Sequence, residues 1–390
     1  MAKQTKEKGF ETASRKKGVM VALRDIMEVM EEIAPASLAQ DWDNTGLQVG
    51  HQGWPVDKIW VALDPTVDLV AEACKQGVSL LITHHPLIFY PLAAVDLETS
   101  TGRIIQIALQ KKVAIFCAHT NLDSAVGGVN DILAERLGLQ DTMVLKPPDQ
   151  VDLYKLVVFV PVGYEEKILD ALFESGAGKS EKYTHMSFRT KGVGTFRPGL
   201  TAKPFKGRVG EISHSTEYRI EALVQKRDLS RVIRSLKRAH PYEEMAHDVY
   251  ATGVAKSKVG LGRIGNLVKD LTLEALVQSI KEGLGLNTVK AVGDPTQTIR
   301  RVAVCGGSGR GLLENFLVSD AQVYVSGDLG YHDGRRAEAF ERALIDIGHF
   351  ASEHLVVESL GTGLKNALSK RGYAVDIGAY AQERDCFYYL

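Results

Sequence analysis

Short apolar runs alternate with amphipathic helical segments in both outer parts of this sequence, and this alternation constrains the fold more than any other feature. The first part contains the runs KIWVALDP (58–65), VSLLIT (78–83) and VAIFCAH (113–119). The last third repeats the pattern with IRRVAVCGG (299–307), AQVYVSGDL (321–329) and ALIDIGH (343–349). Strands that are apolar on both faces belong to parallel or mixed sheets covered by helices. The sequence therefore predicts an α/β fold, built either as two separate layers or as one shared domain.

A different pattern separates the two outer parts. KPPDQ (146–150) has the prolines of a linker. Behind it, the predicted elements follow the order β-α-β-β-α-β, which is the split β-α-β or ferredoxin-like pattern. The chain of 390 residues is also longer than one ordinary domain. We predict a basic flexible tail at 1–20, the first part of an α/β domain at 21–146, an inserted ferredoxin-like domain at 151–257 and the second part of the α/β domain at 258–390.

Composition and charge disfavour several classes of protein. The formal net charge of -1 argues against a general nucleic-acid-binding protein, which usually needs a basic face. No run of about 18 apolar residues is present, so no membrane span is predicted. The basic, polar start has no apolar stretch behind it and so differs from a secretory signal. Four cysteines lie far apart without a C-x-x-C pair, which indicates buried thiols in the reducing cytoplasm.

Histidines and carboxylates lie at or just after four of the apolar runs. The motifs are THHP (83–86), HTNLD (119–123), SGDLGYHD (326–333) and GHFASE (348–353). Functional groups gather at the carboxyl ends of strands in a doubly wound sheet. Adjacent His84 and His85 diverge and could each bind one of two metal ions, while His349 and Glu353 share one face of a helical turn. Such imidazole and carboxylate ligands suit Zn, Fe, Mn, Co or Ni.

Other interpretations of these residues stay open from the sequence. His85 alone is compatible with a hydrogen-bonded structural histidine. Asp123 serves equally well as a metal ligand or as the N-cap of the next helix. We interpret His119 and His354 as structural or ligand-orienting residues. Three further side chains are candidates for orienting ligands or carrying protons, namely Asp43, Asp328 and His332.

Two loops carry weaker signals. CGGSGRG (305–311) lies between a predicted strand and a predicted helix, where a tight turn is favoured. Backbone N–H groups at a helix start can also bind an anion, and Arg310 keeps phosphate recognition open. The candidate anion-binding residues are Gly306, Gly307, Ser308, Gly309 and Arg310. The polar stretch DWDNTGLQVG (41–50) is predicted as an Asx-turn loop.

Taken together, five motifs resemble the Nif-three-like dinuclear metal protein family, often labelled GTP cyclohydrolase 1 type 2 homologs. They are DWDNTGLQVG, ITHHPLIF, HTNLD, GDLGYHD and GHFASE, in this order and spacing. The resemblance covers residues 22–145 and 258–390, and the segment ending in AHPYEEMAHDVY (239–250) is similar to the PII- or CutA-like insert of the longer bacterial members. It implies two divalent metal ions in each subunit, held by His84, His85, Asp123, His349 and Glu353. It also implies a toroidal homohexamer whose metal sites face an internal cavity and whose inserts cover the ring openings.

The motifs and the resemblance predict a cytoplasmic, metal-dependent hydrolase. Two ions would polarise a substrate oxygen and activate water near neutral pH, with Asp123 or Glu353 bridging them. The family label and the glycine-rich loop favour a nucleotide-like small molecule as the substrate. The alternative is a non-enzymatic metal-binding or regulatory ring assembly that senses small molecules through the PII-like insert.

Overall fold

The computed structural model describes residues 20–148, 153–180, 182–252, 258–380 and 382–388. The chain divides into two compact units, one formed by Met1–Pro147 with Lys258–Leu390 and the other by Pro148–Ser257. Apart from Met20, the predicted tail at 1–20 lies outside the described residues. Within the described ranges, no helix combines the length and the apolar composition needed to cross a membrane.

The helices and strands fall into three stretches of chain. Before the insert they are α1 (Leu23–Ile33), β1 (Gly46–Val49), β2 (Lys58–Ala62), α2 (Val67–Lys75), β3 (Leu80–Thr83), α3 (Ser100–Lys111), β4 (Ala114–Cys117), α4 (Thr120–Ser124), α5 (Val129–Arg136) and β5 (Gln140–Lys146). The insert contains β6 (Leu153–Pro161), α6 (Glu165–Glu174), β7 (Phe188–Phe196), β8 (Ser213–Gln225), α7 (Lys226–Ala239) and β9 (His247–Ala251). After it come β10 (Leu261–Thr272), α8 (Leu273–Leu284), β11 (Lys290–Val292), β12 (Thr298–Ser308), α9 (Leu313–Leu317), β13 (Val323–Gly327), α10 (Tyr331–Ala339), β14 (Ala343–Asp346), α11 (His349–Glu353), α12 (Leu355–Lys370) and β15 (Asp376–Ala379).

The larger unit contains two mixed sheets. The first has the order β1-β4-β3-β2-β15, in which β1 runs antiparallel and the other strands run parallel. The second has the order β11-β14-β13-β12-β10-β5, with a parallel centre of β12, β13 and β14. All four residues of β3 and of β4 are buried, as expected for strands covered on both faces. The α/β prediction is confirmed.

Each of these sheets takes one strand from the other part of the chain. β5, which precedes the insert, pairs with β10 in the second sheet, whereas the last strand, β15, pairs with β2 in the first. Helix α12 buries Val357, Leu360 and Leu364 in the core beside the first sheet. The two outer parts therefore form one shared domain. The sequence did not predict β5, because its first three residues are exposed and leave only a weak apolar pattern.

The polar stretch 41–50 is only partly the loop that the sequence predicts. Residues 41–45 are irregular, and Oδ1 of Asp43 accepts the N–H of the very next residue, Asn44, at 2.8 Å, one residue short of the predicted Asx turn. The second half, Gly46–Val49, is strand β1 and pairs with β4. The short, polar sequence did not predict this strand. Its backbone hydrogen bonds come from pairing with a buried neighbouring strand, which is not a local property of the sequence.

The smaller unit is a four-stranded sheet with two helices. Its strands lie in the order β7-β8-β6-β9, and every neighbouring pair is antiparallel. This is the topology of a split β-α-β arrangement. The unit has its own apolar core, in which Leu156, Ile220 and Leu236 are fully buried.

Candidate metal centre

Four histidines and two carboxylates converge at the carboxyl ends of strands from both sheets of the larger unit. They are His84 and His85 after β3, His119 and Asp123 after β4, and His349 and Glu353 on α11 after β14. Three groups of these residues each place one ligand atom per residue within 4.8 Å of the others: His84, Asp123 and Glu353; His85, His349 and Glu353; and His84, His85 and His119. The fold therefore brings these six residues together, because the parallel strands of each sheet end at a common edge and these edges of the two sheets lie side by side.

Each of the four imidazoles is held through its Nδ1 atom. That of His84, a fully buried ring, donates to the carbonyl of Ala118 at 2.8 Å. The other three contacts are His85 to Asp64 at 2.8 Å, His119 to Asp43 at 2.8 Å and His349 to Asp328 at 2.7 Å. A carbonyl or an ionised carboxylate can only accept, so Nδ1 carries the hydrogen and Nε2 of a neutral ring keeps its lone pair. Metal-binding histidines are typically oriented in this way.

The carboxylate of Glu353 lies between two sets of imidazoles. Its Oε2 atom is 2.9 Å from Nε2 of His85 and 3.0 Å from Nε2 of His349. Its Oε1 atom is 3.6 Å from Nε2 of His84. The side chain is only 4% exposed, so these contacts are shielded from water. Glu353 is thus placed to be shared by two of the three groups.

Two buried polar atoms of the cluster lack a hydrogen-bond partner. They are Nε2 of His84 and Oδ1 of Asp123, which lie 3.6 Å apart. Leaving a buried polar atom unsatisfied costs about 1–3 kcal/mol, and such atoms are rare in native proteins. Two of them facing the same point, one a nitrogen and one a carboxylate oxygen, fit a bound cation.

The charges of the cluster perturb one another. Burial raises the pKa of Asp123 to about 6. Burial would also raise the pKa of Glu353, but the positive charge of His84 and hydrogen bonds from His349 hold it well below its usual range. The hydrogen bond to Glu353 raises the pKa of His349 to about 9. Burial opposes protonation of His85, yet its bonds to Asp64 and Glu353 raise its pKa to about 10. Without a cation, the imidazoles of His85 and His349 are therefore protonated on both nitrogens and positively charged at neutral pH.

The predicted orienting residues divide into two that contact the site and one that does not. Asp43 and Asp328 hold His119 and His349 as described above. Burial would raise the pKa of Asp43, but hydrogen bonds from His119 and Thr120 lower it to about 2, so it stays ionised. His332 is exposed on α10, where its ring packs edge-to-face on Tyr331 at 5.4 Å. His332 does not point into this cluster because α10 carries it away from the end of β13.

The capping interpretation of Asp123 is wrong. Asp123 lies inside a short additional helix, α4, and the N-cap of α5 is Gly128. The backbone carbonyl of Asp123, not its side chain, accepts a hydrogen bond from Asn130 at 2.9 Å. Its carboxylate is therefore free to face the histidines.

The first backbone donors of the glycine-rich loop bond to neighbouring elements of the protein. The N–H groups of Gly306 and Gly307 donate to Asn130 and Ser352 at 2.9 and 2.8 Å. Arg310 forms an ion pair with an aspartate on α10 at 3.3 Å. The N–H groups of Gly306 and Gly307 are therefore already bonded within the protein. Of the remaining candidates, Ser308 ends β12 and Gly309 begins a 3-10 turn.

Gly307 is required by the position of Glu353. A β-carbon at Gly307 would lie 1.9 Å from Oε1 of Glu353, and φ is +62°. We expect Gly307→Ala to displace Glu353, to lower the free energy of unfolding by at least about 2 kcal/mol and to reduce the metal content. Gly311→Ala is the matched control, because nothing lies within 4 Å of its added carbon. Denaturant unfolding and elemental analysis test this, and equal effects of the two substitutions would contradict it.

Sequence reasoning missed two carboxylates that support the site. Asp64 follows β2, so the same strand-end rule could have found it. Glu383 lies in the C-terminal segment and carries no comparable signal. Its carboxylate accepts the N–H of Leu63 at 2.8 Å and of Asp64 at 3.0 Å, and it lies 3.4 Å from Nε2 of His354. Because Asp64 orients His85 and because His354 follows Glu353, Glu383 connects the two sides of the cluster.

Removing the charge of Glu383 should therefore destabilise the protein and weaken metal binding at the candidate centre. We expect Glu383→Gln to lower the free energy of unfolding by about 1–3 kcal/mol and to weaken metal binding roughly 10-fold. Glu341→Gln, at an exposed position, is the control. Thermal unfolding and competition with a chelator of known affinity measure the two effects. Unchanged metal affinity in the Glu383 variant would limit this residue to a structural role.

Over most of its length the chain is similar to proteins of a single family. The model of the family described as Duf34/NIF3 (NGG1p interacting factor 3) matches residues 21–385. A Bacillus subtilis protein named GTP cyclohydrolase 1 type 2 homolog is 36% identical over 367 residues, which cover 94% of this chain and 98% of that protein. A Mycobacterium tuberculosis protein of the same name is 38% identical over 337 residues, covering 85% and 88%. The crystal structure of a Bacillus cereus protein related to NIF3 matches with a TM-score of 0.68 and 35% identity over 96% of this chain and 100% of that one. A Staphylococcus aureus protein matches with a TM-score of 0.75 and 30% identity, covering 95% and 99%.

Proposed function

The chain belongs to the Duf34/NIF3 family, and on this premise we propose that it is a dinuclear metal-binding protein that hydrolyses nucleotide-like substrates. The observation that carries the proposal is the position of Glu353, whose two oxygens face different sets of histidines. The nucleotide-like substrate rests on the name of the relatives, GTP cyclohydrolase 1 type 2 homolog.

The ligand atoms divide naturally between two ions. One would be held by His84, Asp123 and Glu353, and the other by His85, His349 and Glu353, so that Glu353 is the shared carboxylate. The negative charge around the histidines also supports two ions. Counting the carboxylates that orient the histidines, five surround four imidazoles, and two divalent cations would compensate four of the five negative charges. Zn, Fe, Mn, Co and Ni all accept this donor set.

The protein's own residues would position the reaction. Bound divalent ions would supply Lewis acidity that polarises a substrate oxygen. His119 borders the cluster, with one nitrogen within 4.8 Å of nitrogens of His84 and His85. Asp43 remains ionised and fixes the ring of His119, which is therefore placed to accept or deliver a proton. Burial of His84 and Glu353 keeps bulk water away from the inner side of the site.

The hydrolase proposal is tested on the full chain purified with its metals. We expect elemental analysis to give about two divalent ions per chain and a panel of GTP and other nucleotides to include a substrate. Turnover should be lost in His84→Ala and in Glu353→Gln, and it should return when metal is restored to chelator-treated wild type. Product formation that neither substitution affects would contradict the hydrolase proposal for that substrate.

A second candidate is a non-enzymatic, regulatory assembly. It is favoured by the smaller unit, which has its own core and the strand order of a ferredoxin-like domain. We propose that this unit is a PII/CutA-like insert that senses a small molecule, within a cytoplasmic homohexameric ring. Tightly held metals, a large loss of thermal stability in chelator and no turnover with any nucleotide would favour this candidate. Light scattering measures the assembly, and a monomer would contradict the ring.

A further inference from the structure

An exposed aromatic cluster borders the candidate metal centre. It consists of Trp42, Phe89 and Tyr90, whose exposed fractions are 60%, 40% and 75%. The ring centroids of Trp42 and Phe89 are 5.7 Å apart, and those of Phe89 and Tyr90 are 4.8 Å apart. Single exposed apolar residues are ordinary, but contiguous exposed aromatic rings commonly mark a binding surface.

This cluster is continuous with the metal centre. The ring of Trp42 packs edge-to-face against that of His119, with centroids 6.0 Å apart. The ring of His119 in turn lies 5.3 Å from that of His84. Asp43, the next residue after Trp42, holds His119 through Nδ1. A planar molecule lying on Trp42 would therefore have its edge beside the histidines that face the ions.

The support beneath the aromatic rings is held in place by hydrogen bonds. Asn44 donates from Nδ2 to the carbonyl of Ile88 at 2.6 Å, and Gln48 donates from Nε2 to the carbonyl of Asn44 at 2.9 Å. Oε1 of Gln48 accepts the N–H of Ile88 at 3.1 Å. These bonds join the loop that carries Trp42 to the loop that carries Phe89. The two loops are thus joined to each other before any ligand arrives, which lowers the entropic cost of ordering them on binding.

The charge of the two loops selects the part of the ligand that they contact. Segments 41–48 and 86–97 contain no lysine or arginine but carry Asp41, Asp43 and Asp96. An anionic group would gain nothing on this surface, whereas an uncharged aromatic ring would stack on it. Any anionic group of the same molecule would find its countercharge at the ions.

We propose that Trp42, flanked by Phe89 with its ring plane tilted by 48°, forms a stacking platform for the uncharged heteroaromatic ring of a nucleobase-like ligand, whose anionic part faces the metal centre. This inference rests on the proposed function, since it names the part of the substrate that this site recognises. Stacking of a base on an aromatic side chain tolerates different bases, because every base has a π-face. The platform would therefore orient the bound base but would not select which base binds.

The experiment compares GTP with tripolyphosphate, which has a similar anion but no ring, on the metal-loaded full chain. By calorimetry, we expect Trp42→Ala to weaken GTP binding about 10-fold and to leave tripolyphosphate binding within about twofold. Trp42→Phe should keep GTP affinity within about threefold, because it retains a stacking face. In wild type, GTP should quench the fluorescence of this tryptophan, and the quenching should disappear in Trp42→Phe although binding persists. Metal content should be the same in all three proteins.

Several results would overturn the platform. One is equal weakening of GTP and tripolyphosphate binding by Trp42→Ala, and another is no weakening of either. A third is failure of GTP, ATP and CTP all to quench the tryptophan fluorescence of wild type. If Trp42→Ala changes the mass in light scattering while GTP affinity stays unchanged, the cluster is a contact between copies of the chain. A protein that binds GTP through Trp42 but forms no product would refute the hydrolase and leave the platform standing.

Discussion

The Glu353→Gln variant is expected to lose both ions, with at least about a 100-fold loss of affinity at each position, because replacing even an outer-sphere partner costs 10–100-fold. Each Glu353 oxygen faces a different group of ligands, so one substitution removes a charged donor from both. Glutamine keeps the shape of the side chain but presents an N–H group where a cation would sit. Elemental analysis after dialysis, and competition with a chelator, measure the loss.

Two comparisons make this result specific. His349→Ala removes a ligand from one group only, so this variant should retain about one ion per chain. Glu358→Gln, at an exposed position on the neighbouring helix α12, should retain the full metal content. If Glu353→Gln instead behaves like His349→Ala, Glu353 serves one ion and the shared-carboxylate arrangement is incorrect.

Metal affinity is expected to rise steeply with pH. The pKa of His349 is raised to about 9 and that of His85 to about 10, so at pH 7 both rings hold protons that an incoming cation must displace. Displacing two protons makes the apparent affinity rise about 100-fold for each pH unit, and the slope falls as the pH passes the two pKa values. Below about pH 6, protonation of Asp123 weakens binding further.

Calorimetric titration with Mn²⁺ in buffers of different ionisation enthalpy counts the released protons. At pH 7, we expect about two protons per ion bound beside His85 and His349. Asp64→Asn should release fewer, because the hydrogen bond to Asp64 helps to raise the pKa of His85. A flat affinity between pH 6 and 8 would show that the two rings are neutral before the metal binds.

The strand-end rule accounts for most of what the sequence revealed about the site. Apolar runs that stop at His84 or His119 predicted both the strands and the edge at which these rings lie. The same rule covers Asp64, although a single aspartate before a proline is equally typical of a turn. The spacing of His349 and Glu353 was readable because α11 is a helix. His332 satisfied the same local criterion and lies elsewhere, since the course of the chain after a strand end is not a local property.

The fold, like the site, was predictable from the sequence only in part. The periodicity of the sequence predicted an α/β domain interrupted by a β-α-β-β-α-β segment. It did not predict β5 at all, and it did not predict that β15 would pair in the first sheet, because an apolar strand pattern specifies burial but not the neighbour with which the strand pairs. The sequence alone therefore left open whether the two outer parts form one domain or two. The exchange of strands between the sheets shows that they form one.

The sequence by itself determined the chemical type of this protein's centre, because residue identity and strand or helix periodicity are local. It supplied imidazoles and carboxylates at strand ends and the family motifs that arrange them. Only the tertiary structure decided that His85 and Glu353, 268 residues apart, would lie in contact, and that Oδ1 of Asp123 would be buried without a hydrogen-bond partner. Convergence and burial depend on how two sheets pack against each other, and burial is what shifts the pKa values and makes a buried, carboxylate-rich cluster favour cations.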